Sequence, residues 1–217
     1  FFPFIGLIVS GGHTLLVYVK NFNEYEILAS TIDDAVGEAF DKAARMMGLP
    51  YPGGPQISRL AELARTQNIQ TTAKLPRPMM NSKDYDFSFS GLKTAVLYHH
   101  QKQPANIKKS KKYITEMCAE IQRAVIDVLL KKTIKASKDF KAKTIILGGG
   151  VSANEELRKQ LKQKIQKEMP DIKCLIPDTI LSTDNALMTA ITGFYHQKNR
   201  IGRTGLPKLK ANGNLRI

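Results

Sequence analysis

Residues 4–19 read FIGLIVSGGHTLLVYV, two apolar runs separated by a polar glycine turn. The pattern predicts two antiparallel strands, at 4–9 and 15–19, joined by a hairpin. The adjacent Gly11 and Gly12 carry no Cβ, so a ligand could also approach their bare backbone amides, and the turn could serve as an anion cradle. Taken alone, the stretch favours the plain hairpin.

The rest of the chain extends this hairpin into an α/β pattern. A third strand is predicted at 25–29, and the polar residues 31–34 (TIDD) are expected to cap the helix that follows. Further on, the sequence predicts a long helix at about 113–136 and β-α units starting at the apolar run 143–147. The remaining predictions are a helix carrying residues 57–64, an irregular segment at 66–90, an exposed loop at 101–112, a strand at 173–177, a helix opened by residues 182–185 and a loop from Gly202.

The order β-β-β-α, helical insertion, β-α-β-α resembles a ribonuclease-H-like lobe, the repeated half of the actin-like (ASKHA) architecture. We therefore expect residues 1–217 to form one actin-like lobe with a helical insertion at about 51–143. Because the chain starts at Phe1, already in strand-like sequence, we expect upstream residues to be missing. Such an analogy concerns the fold and says little about chemistry.

The composition favours a polyanionic partner. Thirty-three Lys and Arg against 19 Asp and Glu give a net charge of +14, which suits RNA, although a solvated lysine-rich surface would look the same. The lysines of residues 108–112 and 131–143 are the candidate RNA face.

Cys118 and Cys174 are far apart and support neither a disulfide framework nor a thiolate zinc site, as expected in a reducing cytoplasm. No apolar run approaches the roughly 20 residues that span a bilayer, so no membrane association is expected.

Two glycine turns follow strands that would end at one edge of a sheet, where open α/β sheets bind ligands. The second is Gly148–Gly150, with Asn154 opening the next helix; here Asn154 is either a ligand contact or a simple helix cap. Asp41 and Glu38 could bind sugar hydroxyls or could pair with Lys42 or Arg45 at the surface. Similarly, Gly54 is either a ligand contact or part of an ordinary turn.

The sequence does not define a complete metal site. Asp184 precedes a helix and is either its cap or a metal ligand. The histidines, at 13, 99, 100 and 196, show no i, i+4 ligand spacing. The sequence shows no local signature of a Ser-His-Asp or Cys-His catalytic set and no Walker lysine motif. Periodicity and spacing therefore predict a nucleotide-binding cleft but no specific reaction.

Five motifs in the same order resemble the TsaD family of tRNA adenosine threonylcarbamoyltransferases, once called O-sialoglycoprotein endopeptidases. They are LIVSGGHT (7–14), DDAVGEAFDKAARMMGLPYPGGP (33–55), DFSFSGLKTA (86–95, similar to the bacterial branch), GGGVSANEELR (148–158) and STDNALM (182–188). The resemblance covers nearly the whole chain but only the carboxy-terminal two-thirds of the family's length.

The resemblance implies an acyltransferase that binds threonylcarbamoyl-AMP or ATP between two lobes. The threonylcarbamoyl group would be transferred to the exocyclic amine of the adenosine 3′ of the anticodon in tRNAs that read ANN codons. Carried over, the ligand contacts fall on Ile8, Val9, Ser10, Gly11, Gly12, Asp41, Gly54 and Asn154. Asp184 becomes the ligand of one divalent metal, Fe²⁺ or alternatively Zn²⁺, and its two histidine partners belong to an HxxxH motif expected before Phe1. No residue is assigned as general base.

The resemblance also implies a cytoplasmic protein that binds tRNA, pairs with a TsaB-like protein and associates with a TsaE-like ATPase, with a homodimer as the alternative. A chain limited to these 217 residues is expected to be inactive, because it would lack the first lobe and two metal ligands. Three other functions stay open: a non-catalytic actin-like scaffold of the same complex, a kinase-like ATPase and a metallopeptidase. Retention of both glycine turns with Asn154 and Asp184 argues against the scaffold.

Overall fold

The computed structural model describes residues 1–22 and 24–197, and its centre is a five-stranded mixed sheet. The strands are β1 (Phe4–Val9), β2 (Thr14–Asn21), β3 (Glu24–Ser30), β4 (Thr144–Gly148) and β5 (Lys173–Leu175). They are ordered β3-β2-β1-β4-β5, with β1–β2 and β2–β3 antiparallel and β1–β4 and β4–β5 parallel. A meander that continues into two parallel β-α units is the predicted ribonuclease-H-like topology.

The described residues also form helices. They are α1 (Val36–Met46), α2 (Gly53–Thr66), α3 (Ser90–Gln101), α4 (Ala105–Lys108), α5 (Lys111–Asp139), α6 (Glu155–Glu168) and α7 (Ala186–Tyr195). Alternate residues of β1, Ile5, Leu7 and Val9, are fully buried, as are Met117 and Leu129 of the long α5. Because α5 also contacts α2 and α6, 18 of its 29 residues are buried, and they lie on more than one side of the helix.

Two local predictions are wrong. Residues 101–112 are not one exposed loop, because α3 extends to Gln101, α4 forms a short helix and α5 begins at Lys111, capped by the Ser110 hydroxyl. The TIDD residues do not cap α1 either: the N-cap is Ala35, whose side chain has no acceptor. The irregular segment at 66–90 is confirmed apart from a single bridge between Thr31 and Phe87.

The chain divides into two compact units, Phe1–Thr183 and Asp184–Ile217. The sheet, α1 to α6 and both glycine turns belong to the first unit. In the second, α7 is capped by Asn185, whose side chain accepts from the backbone N–H of Met188, so the alternative of Asp184 as the cap is wrong. The loop predicted from Gly202 lies outside the described residues, and no helix in the described ranges is long and apolar enough to cross a membrane.

Candidate functional site

The two glycine turns meet at one edge of the sheet, as predicted. Strands β1 and β4 are parallel neighbours with Ile8 opposite Gly148, so the turns that follow them leave the sheet side by side. Gly149 has φ +87°, and a Cβ there would lie 2.3 Å from the carbonyl oxygen of Val9. The second turn therefore packs backbone to backbone on the end of β1, which no other residue type would allow.

The first turn is also the cap of α1. The backbone N–H of Val36 donates to the Thr14 hydroxyl at 2.9 Å, and that of Gly37 donates to the Ser10 carbonyl at 3.0 Å. A Cβ on Gly37 would lie 2.7 Å from the Cα of Gly11, so the helix start is pressed against the turn. The hairpin predicted from residues 4–19 is confirmed, and it orients a helix N-terminus as well.

The aspartate expected to cap α1 instead joins two of the sequence motifs. Asp33 accepts from the backbone N–H of Phe89 at 2.8 Å and from the hydroxyls of Ser88 and Ser90 at 2.5 and 2.7 Å. Burial acts to raise the pKa of Asp33, but these hydrogen bonds outweigh it and hold the pKa below its usual value. The DDAVGE and DFSFSGLKTA motifs are thus parts of one structure, with Asp33 fixing the start of α3.

Asp41 fixes the start of α2, as Asp33 fixes the start of α3. Its Oδ1 accepts from the backbone N–H groups of Gly53 and Gly54, at 2.7 and 3.3 Å. The alternative of a surface pair with Lys42 or Arg45 is therefore wrong for Asp41. Residues 53 and 54 form the first turn of α2 and are not a separate loop, which puts Gly54 at a helix N-terminus.

Glu38 behaves differently from Asp41. Its carboxylate pairs with Lys42 at 2.6 Å, and the side chain is 43% exposed, so the surface alternative is the correct one for this residue. Glu38 does not line the cavity described below.

Asn154 caps α6, with Oδ1 accepting from the backbone N–H of Leu157 at 3.1 Å. The turn before it is held by Arg158, which donates to the Ser152 carbonyl at 2.5 Å and to the Ser182 hydroxyl at 3.1 Å. The predicted cap is confirmed, and it does not remove Asn154 from the candidate site, since the residue also lines the cavity.

These elements enclose a cavity of about 890 Å³. It brings together four of the predicted ligand residues, Gly11, Asp41, Gly54 and Asn154, with Gly37 and Gly150. A Cβ on Gly11, Gly54 or Gly150 would meet nothing within 4 Å, so bare backbone faces open space at three points. Cavities of this size are typical of nucleotide-sized ligands.

The other predicted contacts lie beside the cavity and do not line it. Val9 is fully buried in the core and Ile8 is half-buried, while Gly12 is exposed at the tip of the turn. The Ser10 hydroxyl accepts from the backbone N–H of His13 at 3.0 Å, so it stabilises the turn itself. These residues shape the wall on which Gly11 is presented.

Charged residues that were not predicted line the rest of the cavity. Arg65 pairs with Glu62 at 2.6 Å and Glu156 at 3.4 Å, and donates to the buried Gln122 at 2.7 Å, which links α2, α6 and α5. Arg59 and Lys159 add two further cations. The signal was present in α2, where residues 58, 62 and 65 form a polar stripe directly beside the apolar one.

The walls suit an anionic nucleotide. The first turns of α1, α2 and α6 contribute Gly37, Gly54 and Glu155 to the lining, so three helix N-termini, with their partial positive charge, open into one space. Bare glycine backbone permits close approach of a base or ribose. Carboxylate and amide oxygens, from Asp41 and Asn154, are suited to sugar hydroxyls.

The described residues do not form a complete metal site. In the ranges 1–22 and 24–197, no group of three or more His, Cys, Asp or Glu side chains could hold an ion. His13 is exposed in the first turn, and Asp184 lies in the second unit. The residues present therefore do not fit a complete metal centre.

The candidate RNA face contains one residue that cannot reach a ligand. Lys132 is 1% exposed, and its Nζ donates to the Ser82 hydroxyl at 2.7 Å. Lys131 donates to Asn81 at 2.5 Å. This part of α5 therefore holds the irregular segment at 66–90 in place, which excludes Lys132 from a binding surface.

Comparisons with known proteins show the family of this chain. The family model TsaD, described as tRNA N6-adenosine threonylcarbamoyltransferase, matches residues 1–191. A protein of that name from Thermosipho africanus is 48% identical over 99% of this chain and 62% of its own length. Another from Geobacillus kaustophilus is 45% identical over 92% of this chain and 56% of its own length, so the chain spans little more than half of such relatives. The chain therefore belongs to the TsaD family, whose members share the actin-like α/β fold.

Proposed function

We propose that the cavity binds threonylcarbamoyl-AMP, with ATP as the alternative ligand, and that the natural protein carries out tRNA threonylcarbamoylation. The observation that carries this proposal is the cavity itself, in which two glycine turns and three helix N-termini face one nucleotide-sized space. Relatives named tRNA N6-adenosine threonylcarbamoyltransferase support it. The acceptor is the exocyclic amine of the adenosine 3′ of the anticodon in tRNAs that read ANN codons.

Transfer of the threonylcarbamoyl group requires little chemical activation by protein side chains. The acyl donor is a mixed anhydride and is already activated, so the protein must hold the acyl carbon near the amine and stabilise charge on the phosphate and the oxyanion. Backbone amides at Gly11 and Gly150 and the cations Arg59 and Lys159 are the groups of this chain suited to those tasks. Asp41 and Asn154 orient the ribose.

A divalent metal, Fe²⁺ or alternatively Zn²⁺, would be held partly by Asp184. Because the described residues offer no complete set of ligands, we propose that the histidine partners belong to the HxxxH motif that the family resemblance implies. When bound, such a metal would supply Lewis-acid stabilisation of phosphate charge.

We further propose that the protein is cytoplasmic and works with a TsaB-like partner and a TsaE-like ATPase, or as a homodimer. The lobe would be single, with the helical insertion at about 51–143. These proposals rest on the family resemblance alone. Co-purification of the natural protein with and without these partners tests the first of them.

The test of the cavity is a titration of the purified chain with a non-hydrolysable analogue of threonylcarbamoyl-AMP and with ATP, followed by calorimetry. Gly150→Val puts an isopropyl group into the cavity and should weaken binding at least tenfold. Gly91→Val adds the same group on α3, where the nearest foreign atom to a Cβ is 3.7 Å away, and should bind normally. Equal binding by both variants would contradict the assignment.

A second assay separates the alternatives. Threonylcarbamoylation of tRNA by the natural protein, measured by mass spectrometry of the nucleosides, supports the transferase. Transfer of γ-phosphate without tRNA modification would identify a kinase-like ATPase. Absence of any nucleotide binding would favour the scaffold.

A further inference from the structure

A groove runs away from the cavity between α5 and α6. It consists of two depressions of about 470 and 620 Å³. The first shares Glu156 and Lys159 with the nucleotide cavity, and the second shares Asp127, Lys164 and Glu168 with the first. The groove is therefore continuous with the cavity along the two helices. We call it the lysine groove.

Six lysines line the lysine groove: Lys131, Lys135, Lys138, Lys159, Lys164 and Lys167. Its four carboxylates already have partners. Two of them are paired with arginines outside the groove, Asp127 with Arg77 at 2.9 Å and Glu156 with Arg65 at 3.4 Å. The positive charge of the groove is thus larger than its own residues suggest.

The other two carboxylates also have donors, Glu168 from within the groove and Asp139 from a residue beside it. Glu168 pairs with Lys138 at 2.7 Å and Lys164 at 2.9 Å, and the hydrogen bonds from Lys138 and Lys164 lower the pKa of Glu168 to about 2. Asp139 accepts a hydrogen bond from the hydroxyl of Tyr85 at 2.6 Å. Each of these acids is therefore anchored by a neighbouring donor.

Two of the lysines have no protein partner. Within the described parts of the chain, neither Lys159 nor Lys167 forms a hydrogen bond or an ion pair, and both are exposed. They lie eight residues apart on one side of α6, which separates them by roughly 12 Å along the helix axis. A track of unpaired ammonium groups thus begins at the cavity and continues along α6.

We infer that the lysine groove binds the sugar-phosphate backbone of the RNA whose adenosine enters the cavity. This inference rests on the proposed function, which requires a polyanionic acceptor at the cavity mouth. Lysines are point charges that attract phosphates without reading bases, which suits a surface that positions a folded RNA. The groove differs from the other basic stretch, residues 108–112, which does not line the cavity.

The test compares two double variants with the same change in charge. Lys164→Gln with Lys167→Gln alters the groove away from the cavity, and Glu168 keeps Lys138 as a partner. Lys109→Gln with Lys111→Gln alters the competing basic stretch, where both lysines are exposed. Binding of an unmodified tRNA is measured at several salt concentrations by fluorescence anisotropy, and circular dichroism checks that each variant is folded.

The groove variant should bind tRNA roughly tenfold more weakly, with a salt slope smaller by about one to two, while the other variant should match wild type. The inference is overturned if the variant at 109 and 111 loses affinity and the groove variant does not. It is also overturned if wild type binds the nucleotide analogue but no tRNA, or if poly-glutamate binds more tightly than tRNA, which would indicate an acidic protein partner.

Nucleotide titration of the same samples separates the two proposals. Loss of tRNA affinity in the groove variant, in a chain that binds no nucleotide, would support the groove and refute the cavity assignment. Normal nucleotide binding with unchanged tRNA affinity in the groove variant would refute the groove alone.

Discussion

Gly53 and Gly54 are neighbours in the first turn of α2, yet alanine should have opposite consequences at the two positions. A Cβ at Gly53 would lie 2.5 Å from the Cβ of Ala44, 2.8 Å from the Cα of Asp41 and 3.0 Å from the carbonyl oxygen of Phe40. Carbon atoms in contact normally stay about 3.5–4 Å apart, so α1 and α2 must separate by roughly 1 Å. The same movement stretches the 2.7 Å bond from the Gly53 N–H to Asp41.

The magnitude follows from three effects. Overpacking costs about 1–3 kcal/mol, and weakening the Asp41 cap costs about 1 kcal/mol. Alanine recovers up to about 1 kcal/mol of helix propensity. Gly53→Ala should therefore lower the free energy of unfolding by about 2 kcal/mol, which in a chain of this size lowers Tm by roughly 4–8 °C.

Gly54→Ala is the matched control. A Cβ there meets nothing within 4 Å, so the helix gains propensity without a clash, and the free energy of unfolding should stay the same or rise by up to about 1 kcal/mol. Because Gly54 lines the cavity, its new methyl group should instead weaken nucleotide binding several-fold.

Urea unfolding followed by circular dichroism, with calorimetric titration of the nucleotide analogue, measures both effects. A Gly53→Ala protein as stable as wild type would refute the close approach of the two helices. Equal destabilisation by both variants would refute the distinction between a packed glycine and an open one.

Three further predictions concern individual side chains. Glu120 is 2% exposed and pairs with Arg77, so Glu120→Gln should lower the free energy of unfolding by about 2 kcal/mol, read from the urea midpoint; no change would argue against a buried ion pair. A hydrogen bond from Lys138 is the largest contribution that lowers the pKa of Glu168 to about 2 from the ordinary 4.5, so its stabilisation is complete above about pH 4.5 and is lost as pH falls toward 2. Glu168→Gln should accordingly lose less stability than wild type between pH 5 and 2, and parallel acid-unfolding curves would contradict this. Asp184→Ala in the natural protein should abolish metal retention, measured by elemental analysis, and unchanged metal content would exclude its role as a ligand.

Most of the sheet was predictable because its signals are local. The apolar runs around the first glycine turn predict β1 and β2 within two residues, and the long periodicity near Met117 predicts α5. Since the carboxyl ends of parallel neighbours share an edge, the two glycine turns could also be placed together. Four of the eight predicted ligand contacts line the cavity.

The groups that hold the starts of α1, α2 and α3 could not be predicted in this way. Thr14 caps α1 across 22 residues, Asp41 caps α2 across 12, and Asp33 holds the start of α3 across 56. A polar residue just before a helix is usually its cap, and that local rule assigned Asp33 to the wrong helix. Arg65 was missed for the same reason, because its partners lie on three different helices.

By itself, the sequence determined which segments become strands and helices and where bare glycine backbone would be exposed, because side-chain periodicity and the missing Cβ act within a few residues. Only the tertiary structure decided which polar groups satisfy the N-termini of α1, α2 and α3 and which charges face the cavity. A hydrogen bond depends on the distance between donor and acceptor in space, and residues far apart along the chain become neighbours only once the sheet and helices are packed.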